Sequence, residues 1–329
     1  MATQLASLPL AAEPRRYSYG AMLAAVALEL LAPTWAGRVL GPVLLLGLAL
    51  LGVAHGACDQ YVVPATHPAL ARQRGRYWVV FLGGYLGLAA AVGALWWWRP
   101  GLAVALFFGL SAWHWGSGDA PPAARYRSQW LAHSLLRGSL LFAVPLLAWP
   151  FETQQLINDL LALTGAAPVN TAALTLITWL LELVVLAGHL ALWGSYAALA
   201  QFELARTDAL EALLLTTLLA VLPPVLAGSV YFVFWHSLQH VLRMNALLAP
   251  AASGRPLRME LGSFLRRAAP LLAVSLAALA VLYNWAWARA ASGPVLISLA
   301  LLVASVVTLP HALLVTLGMD AARWRRGDR

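Results

Sequence analysis

Apolar runs of about 18 or more residues recur along the whole chain, and each is long enough to cross a hydrocarbon core of about 30 Å. They predict an all-α, polytopic integral membrane helical bundle with about eight to ten transmembrane segments. The composition points the same way. Hydrophobic residues make up 61% of the 329 and charged residues only 10%, against about 25% charged in a soluble domain. A water-soluble fold of this size would have no means of hiding so much apolar surface.

The predicted spans are 17–32, 39–57, 78–98, 101–117, 128–149, 172–199, 209–222, 225–243, 264–289 and 293–318. Pro33 ends the first and Pro150 follows the fifth. The region 209–243 is too long for one crossing, and Pro223-Pro224 divides it. Its first part, 209–222, is short enough to be re-entrant. The domain reading is a cytoplasmic N-terminal segment (1–16), a transmembrane helical domain (17–318) and a basic cytoplasmic tail (319–329). The run after Arg15-Arg16 is read as a retained helix and not a cleaved signal.

The net charge of +8 comes from arginine alone, because the chain contains no lysine. That excludes a retinylidene protein, which needs a lysine amine for its Schiff base. The arginines sit in short connections, where they act as topology signals and not as a nucleic-acid footprint. With the N-terminus inside, Arg72, Arg74, Arg76, Arg125, Arg127 and Arg206 fall inside too. So do Arg243, Arg255, Arg258, Arg266 and Arg267, and then Arg323, Arg325, Arg326 and Arg329. Only Arg38, Arg99 and Arg289 fall outside, and the 150–171 loop has none. The expected location is therefore the cell (inner) membrane, multi-pass, with both termini cytoplasmic. Trp96, Trp97, Trp98, Trp285 and Trp287 mark the interfaces. A single cysteine, Cys58, rules out an internal disulfide and any CxxC site.

Ionisable groups inside a membrane are costly and mark function. Here the notable set is histidine. His55 ends the second span, and Asp59 follows it by four residues as an acidic partner to fix its tautomer. His114 ends the fourth span, with Asp119 shortly after. His236 and His240 form an HxxxH pair, which on a helix points two imidazoles the same way. His311 follows Pro310 in the last span, as a partner of the site or an additional ligand. Under the arginine topology these residues share one depth, as a site built by converging helices requires. His133, Arg137, His189, Glu29 and Glu182 are read as buried ion pairs or outer partners, and His67 lies in a loop. An all-histidine site without thiolates suits iron, copper or zinc. Inside an apolar bundle it points to oxygen chemistry on a lipid-like molecule, with Fe(2+) the natural choice.

At these motifs the chain resembles the Brp/Blh family of membrane β-carotene 15,15'-dioxygenases. The matching pieces are His55-Gly56-Ala57-Cys58-Asp59, Trp113-His114-Trp115-Gly116-Ser117-Gly118-Asp119, His236-Ser237-Leu238-Gln239-His240 and Pro310-His311. They stand in the family's order from the second span to the last. The resemblance implies an iron-dependent oxygenase that splits the central double bond of β-carotene with O₂ into two all-trans-retinal molecules. It implies His55, His114, His236 and His240 as metal ligands, a carotenoid and O₂ as substrates, membrane lipid as surroundings, and an opsin as a receiver of retinal. Gln60, Trp113 and Trp115 depart from the family's pattern and bear on the substrate pocket. The alternatives are a membrane b-type haem protein and a metal transporter using the same histidines.

Overall fold

The structure is a computed structural model that describes residues 12–121, 124, 126–249, 255–289 and 292–325. Most of the predicted N-terminal segment, with Arg125, Arg326 and Arg329, lies outside the described residues. Among the described residues every regular element is a helix. We number them α1 (Ala12–Leu31), α2 (Pro33–Thr66), α3 (Arg74–Trp98), α4 (Pro100–Asp119), α5 (Arg127–Ala148), α6 (Pro150–Ala162) and α7 (Thr171–Ala198). Then come α8 (Phe202–Val221), α9 (Pro224–Tyr231), α10 (Leu238–Leu248), α11 (Leu257–Trp287), α12 (Gly293–Leu314) and a last turn, α13 (Ala321–Trp324). Among the described residues, six helical stretches are long and apolar enough to cross a membrane: α2, α3, α5, α7, α11 and Gly293–Met319.

The boundaries follow from proline. Pro33, Pro100, Pro150 and Pro224 stand at the first turns of α2, α4, α6 and α9, where a missing N–H costs nothing. The break at Pro223-Pro224 is present. Two differences from the predicted spans have clear causes. The 150–171 stretch, read as a loop, contains α6. Its Ile157, Leu160 and Leu161 fold back against Val92, Trp96 and Val104. The segment predicted to begin at 209 begins at Phe202, and the 20 residues of α8 extend about 30 Å. Two of its acids, Asp208 and Glu211, are paired inside the bundle.

That pairing is a buried network. Arg137 on α5 is wholly inaccessible and bonds Asp208 on α8. Asp208 also accepts from Trp193 Nε1 at 2.7 Å and lies 2.8 Å from His133 Nε2. Glu211 accepts from the Tyr19 hydroxyl at 2.6 Å, pairs with Arg15, and lies 3.6 Å from Arg137. Four helices, α1, α5, α7 and α8, are thus tied by charges that hydrocarbon would not tolerate singly. His133 and Arg137 are therefore structural. His189 stays on its own helix, with Nδ1 2.8 Å from the Val185 carbonyl oxygen.

The tightest helix contact is between α4 and α5. A Cβ on Gly116 would lie 1.8 Å from the Ser134 carbonyl oxygen, and one on Gly138 would lie 1.8 Å from that of Ala112. Small residues let transmembrane backbones approach this closely. The contact fixes the turn of α4 that carries His114.

Candidate metal centre

Three π-helical turns stand beside the histidines: Leu48–Gly52 before His55, Phe232–Ser237 around His236, and Val315–Met319 after His311. Such turns widen a helix locally and are frequent at functional sites. They turn the helices so that five imidazoles face one another. Ring centroids are 4.7 Å apart for His114 and His311, 4.8 Å for His55 and His311, and 4.9 Å for His114 and His236. His240 lies 5.1 Å from His311 and 5.3 Å from His55. The ligand-capable nitrogens of His55, His114 and His311 all fall within 4.8 Å of one another.

The residues fit a divalent metal. His114, His236, His240 and His311 are between 2% and 5% exposed. Nε2 of each of these four, and Nδ1 of His114 as well, is buried without a hydrogen-bond partner. Leaving a buried polar atom unsatisfied costs about 1–3 kcal/mol, so several at one point call for a shared cation. His55 Nδ1 lies 2.5 Å from the Gly52 carbonyl oxygen and must donate to it. Its Nε2 therefore keeps a free lone pair, as a neutral imidazole ligand requires.

The two acids behave differently from the sequence reading. Asp59 does not face His55. Residues 54–61 form a 3₁₀ helix with about three residues per turn, so positions four apart no longer share a face. Both Asp59 oxygens instead lie 2.9 Å from His311 Nδ1. Asp119 accepts from the Tyr231 hydroxyl at 2.8 Å. With Gly118, Gln239 and Arg243 it lines a narrow cleft against His114, His236 and His240. Next to this cleft Arg243 bonds Asp320 at 2.6 Å, and Arg323 caps the Ser117 and Ala120 carbonyls at 2.7 and 3.1 Å. His67 is exposed and His189 is bonded within α7, so neither joins the cluster.

One wall of the centre is aromatic. Phe232 stacks on His236 at 5.7 Å and meets His55 edge-on at 5.4 Å. Trp115 lies 5.8 Å from Phe232 and stacks on Phe142 at 5.9 Å, and Phe142 continues to Phe108 at 5.2 Å. The sequence reading did not single out Phe232, although it stands four residues before His236 on the same helical run.

A family model described as beta-carotene 15,15'-dioxygenase matches residues 46–319. That interval holds every histidine of the centre. A probable beta-carotene 15,15'-dioxygenase Blh of Halobacterium salinarum is 31% identical, over 96% of this chain and 97% of its own length. A probable beta-carotene 15,15'-dioxygenase Brp of the same species is 28% identical over 62% of this chain and 58% of its own. No solved structure matches. A family match across most of the chain, a relative similar from end to end and a five-histidine centre inside apolar helices agree, and the chain belongs to the β-carotene 15,15'-dioxygenase family.

Proposed function

We propose that this chain is an iron-dependent oxygenase that cleaves the central 15,15' double bond of β-carotene with O₂, giving two all-trans-retinal molecules. The observation that carries the reading is the convergence of buried imidazoles with unpartnered nitrogens inside an apolar helical bundle. His55, His114, His236 and His240 hold the iron. When bound, Fe(2+) supplies the redox-active centre that makes O₂ reactive toward an alkene. The balance is closed: one C=C and one O–O bond break, two C=O bonds form, and no outside reductant or proton is consumed.

The chain's own residues do the rest. Apolar helices admit a substrate that dissolves only in the bilayer. The aromatic wall of Phe232, Trp115 and Phe142 offers flat faces for a conjugated polyene. A symmetric carotene has no polar handle at its centre, so the depth of its seat beside the histidines selects the bond. With no lysine to retain the aldehyde, the product leaves to the membrane or to an opsin. Expression in a carotene-accumulating bacterium tests the function. Bleached cells with retinal in the extract support it; unchanged pigment contradicts it.

Phe232→Ala is expected to loosen the seat. Part of the product should shift from retinal to longer and shorter apocarotenals, read by chromatography and mass, while bound iron stays. Retinal alone at the wild-type rate would remove Phe232 from the pocket.

The fold reading extends the six apolar stretches to about eight to ten crossings. It counts α1, α4 and α8 and the α9–α10 stretch as spans, in which Arg15, Asp208, Glu211 and Arg243 have partners on other elements. Both termini and the histidine end of the bundle then face the cytoplasm of the inner membrane. Cys58 is fully buried and cannot report this. His67 is exposed in the connection before the arginine cluster. His67→Cys in a Cys58→Ala background should therefore react with a membrane-impermeant thiol reagent in inside-out vesicles and not in intact cells. The reverse pattern would invert the topology.

A further inference from the structure

Asp59 gathers two groups from distant parts of the chain. Both its oxygens lie 2.9 Å from His311 Nδ1, and the Tyr85 hydroxyl donates to Oδ2 at 3.1 Å. The three residues come from α2, α12 and α3, so their meeting is a product of the fold and not of local sequence. Asp59 is 2% exposed and His311 5%. The pairing orients the ring. An ionised carboxylate only accepts, so His311 Nδ1 carries the hydrogen and Nε2 keeps the lone pair. That Nε2 is buried and has no partner. His311 is also one of the three residues whose donor nitrogens converge most closely, with His55 and His114. A histidine serving only to support another ligand would spend its free nitrogen on that ligand's partner. This one leaves it among four other imidazoles.

We propose that Asp59 and Tyr85 are positioning residues that lock His311 with Nε2 toward the bound ion, making His311 a fifth imidazole donor. The inference rests on the iron reading above. A carboxylate on the far nitrogen of a ligating histidine fixes its tautomer and ring orientation and raises its basicity. Tyr85, by donating to the same carboxylate, holds the acid in place for that task.

The test uses the full-length protein in detergent, loaded with Co(2+), whose visible absorption reports its donor set. His311→Gln is expected to change the spectrum. Asp59→Asn is expected to weaken Co(2+) affinity by about 10–100-fold in chelator competition, and Tyr85→Phe to weaken it less. Imidazole added to His311→Gly should restore the wild-type spectrum. Asp59→Asn preserves size and the Tyr85 contact, so it decides the matter if His311→Gln does not fold. Wild-type spectrum and affinity in Asp59→Asn, with the ion lost in His236→Ala, would overturn this inference and leave the iron reading standing. A wild-type protein that binds neither Co(2+) nor Fe(2+) would overturn the iron reading itself, and this inference with it.

Discussion

Replacing His236 with alanine is expected to empty the metal centre and abolish carotene cleavage. His236 is 2% exposed, and its ring lies 4.9 Å from His114 and 5.7 Å from His55, within the group of facing imidazoles. Its Nε2 has no hydrogen-bond partner to lose, so the substitution removes a donor without breaking a bond in the protein. Outer partners of metal ligands typically change affinity by about 10–100-fold, and loss of a direct ligand exceeds that. Iron per polypeptide, measured by elemental analysis after purification, should fall to background while helicity by circular dichroism is unchanged. His67→Ala, on an exposed residue outside the cluster, should keep both iron and activity. Full iron occupancy in His236→Ala would remove it from the ligand set.

Gly138→Val, and Gly116→Val across the same contact, should have the largest effect on folding. In each case the first atom of the new side chain falls 1.8 Å from a backbone oxygen, and no rotamer relieves a clash at Cβ. The backbones of α4 and α5 must part. Overpacking usually costs about 1–3 kcal/mol because side chains give way, and here no side chain is available to give. Monodisperse protein after detergent chromatography should fall sharply. Whatever folds should bind iron poorly, because His114 is two residues from Gly116 on the displaced turn. Gly109→Ala, on the same helix with open space around it, is the control and should behave as wild type.

The histidines were legible in the sequence because a membrane makes any polar residue conspicuous, and the arginine bias placed four of them and His311 at one depth. Their partners were not. The His55–Asp59 spacing suggests a pair only if the helix is regular, and a 3₁₀ turn cancels that spacing. His311 and Asp59 are 252 positions apart, a contact no local pattern encodes. The π turns beside His55, His236 and His311 have no sequence signature of their own, yet they help to bring the rings together. The start of α8 at Phe202, ahead of the expected 209, was hidden for a related reason. Asp208 and Glu211 find Arg137, Tyr19 and Arg15 on other helices, and only the folded bundle brings these partners together. The helix α6 was hidden by its length and by the proline that begins it.

The most direct measurement is a reaction with defined components: purified protein, Fe(2+), ¹⁸O₂ and β-carotene in detergent, with products separated and weighed by mass spectrometry. Retinal is expected as the dominant product, two per carotene consumed, each carrying ¹⁸O before exchange with water, with no turnover without iron or O₂. Hydroxylated but uncut carotene, apocarotenals from an off-centre bond as the main product, or equal cleavage after complete removal of iron would contradict it.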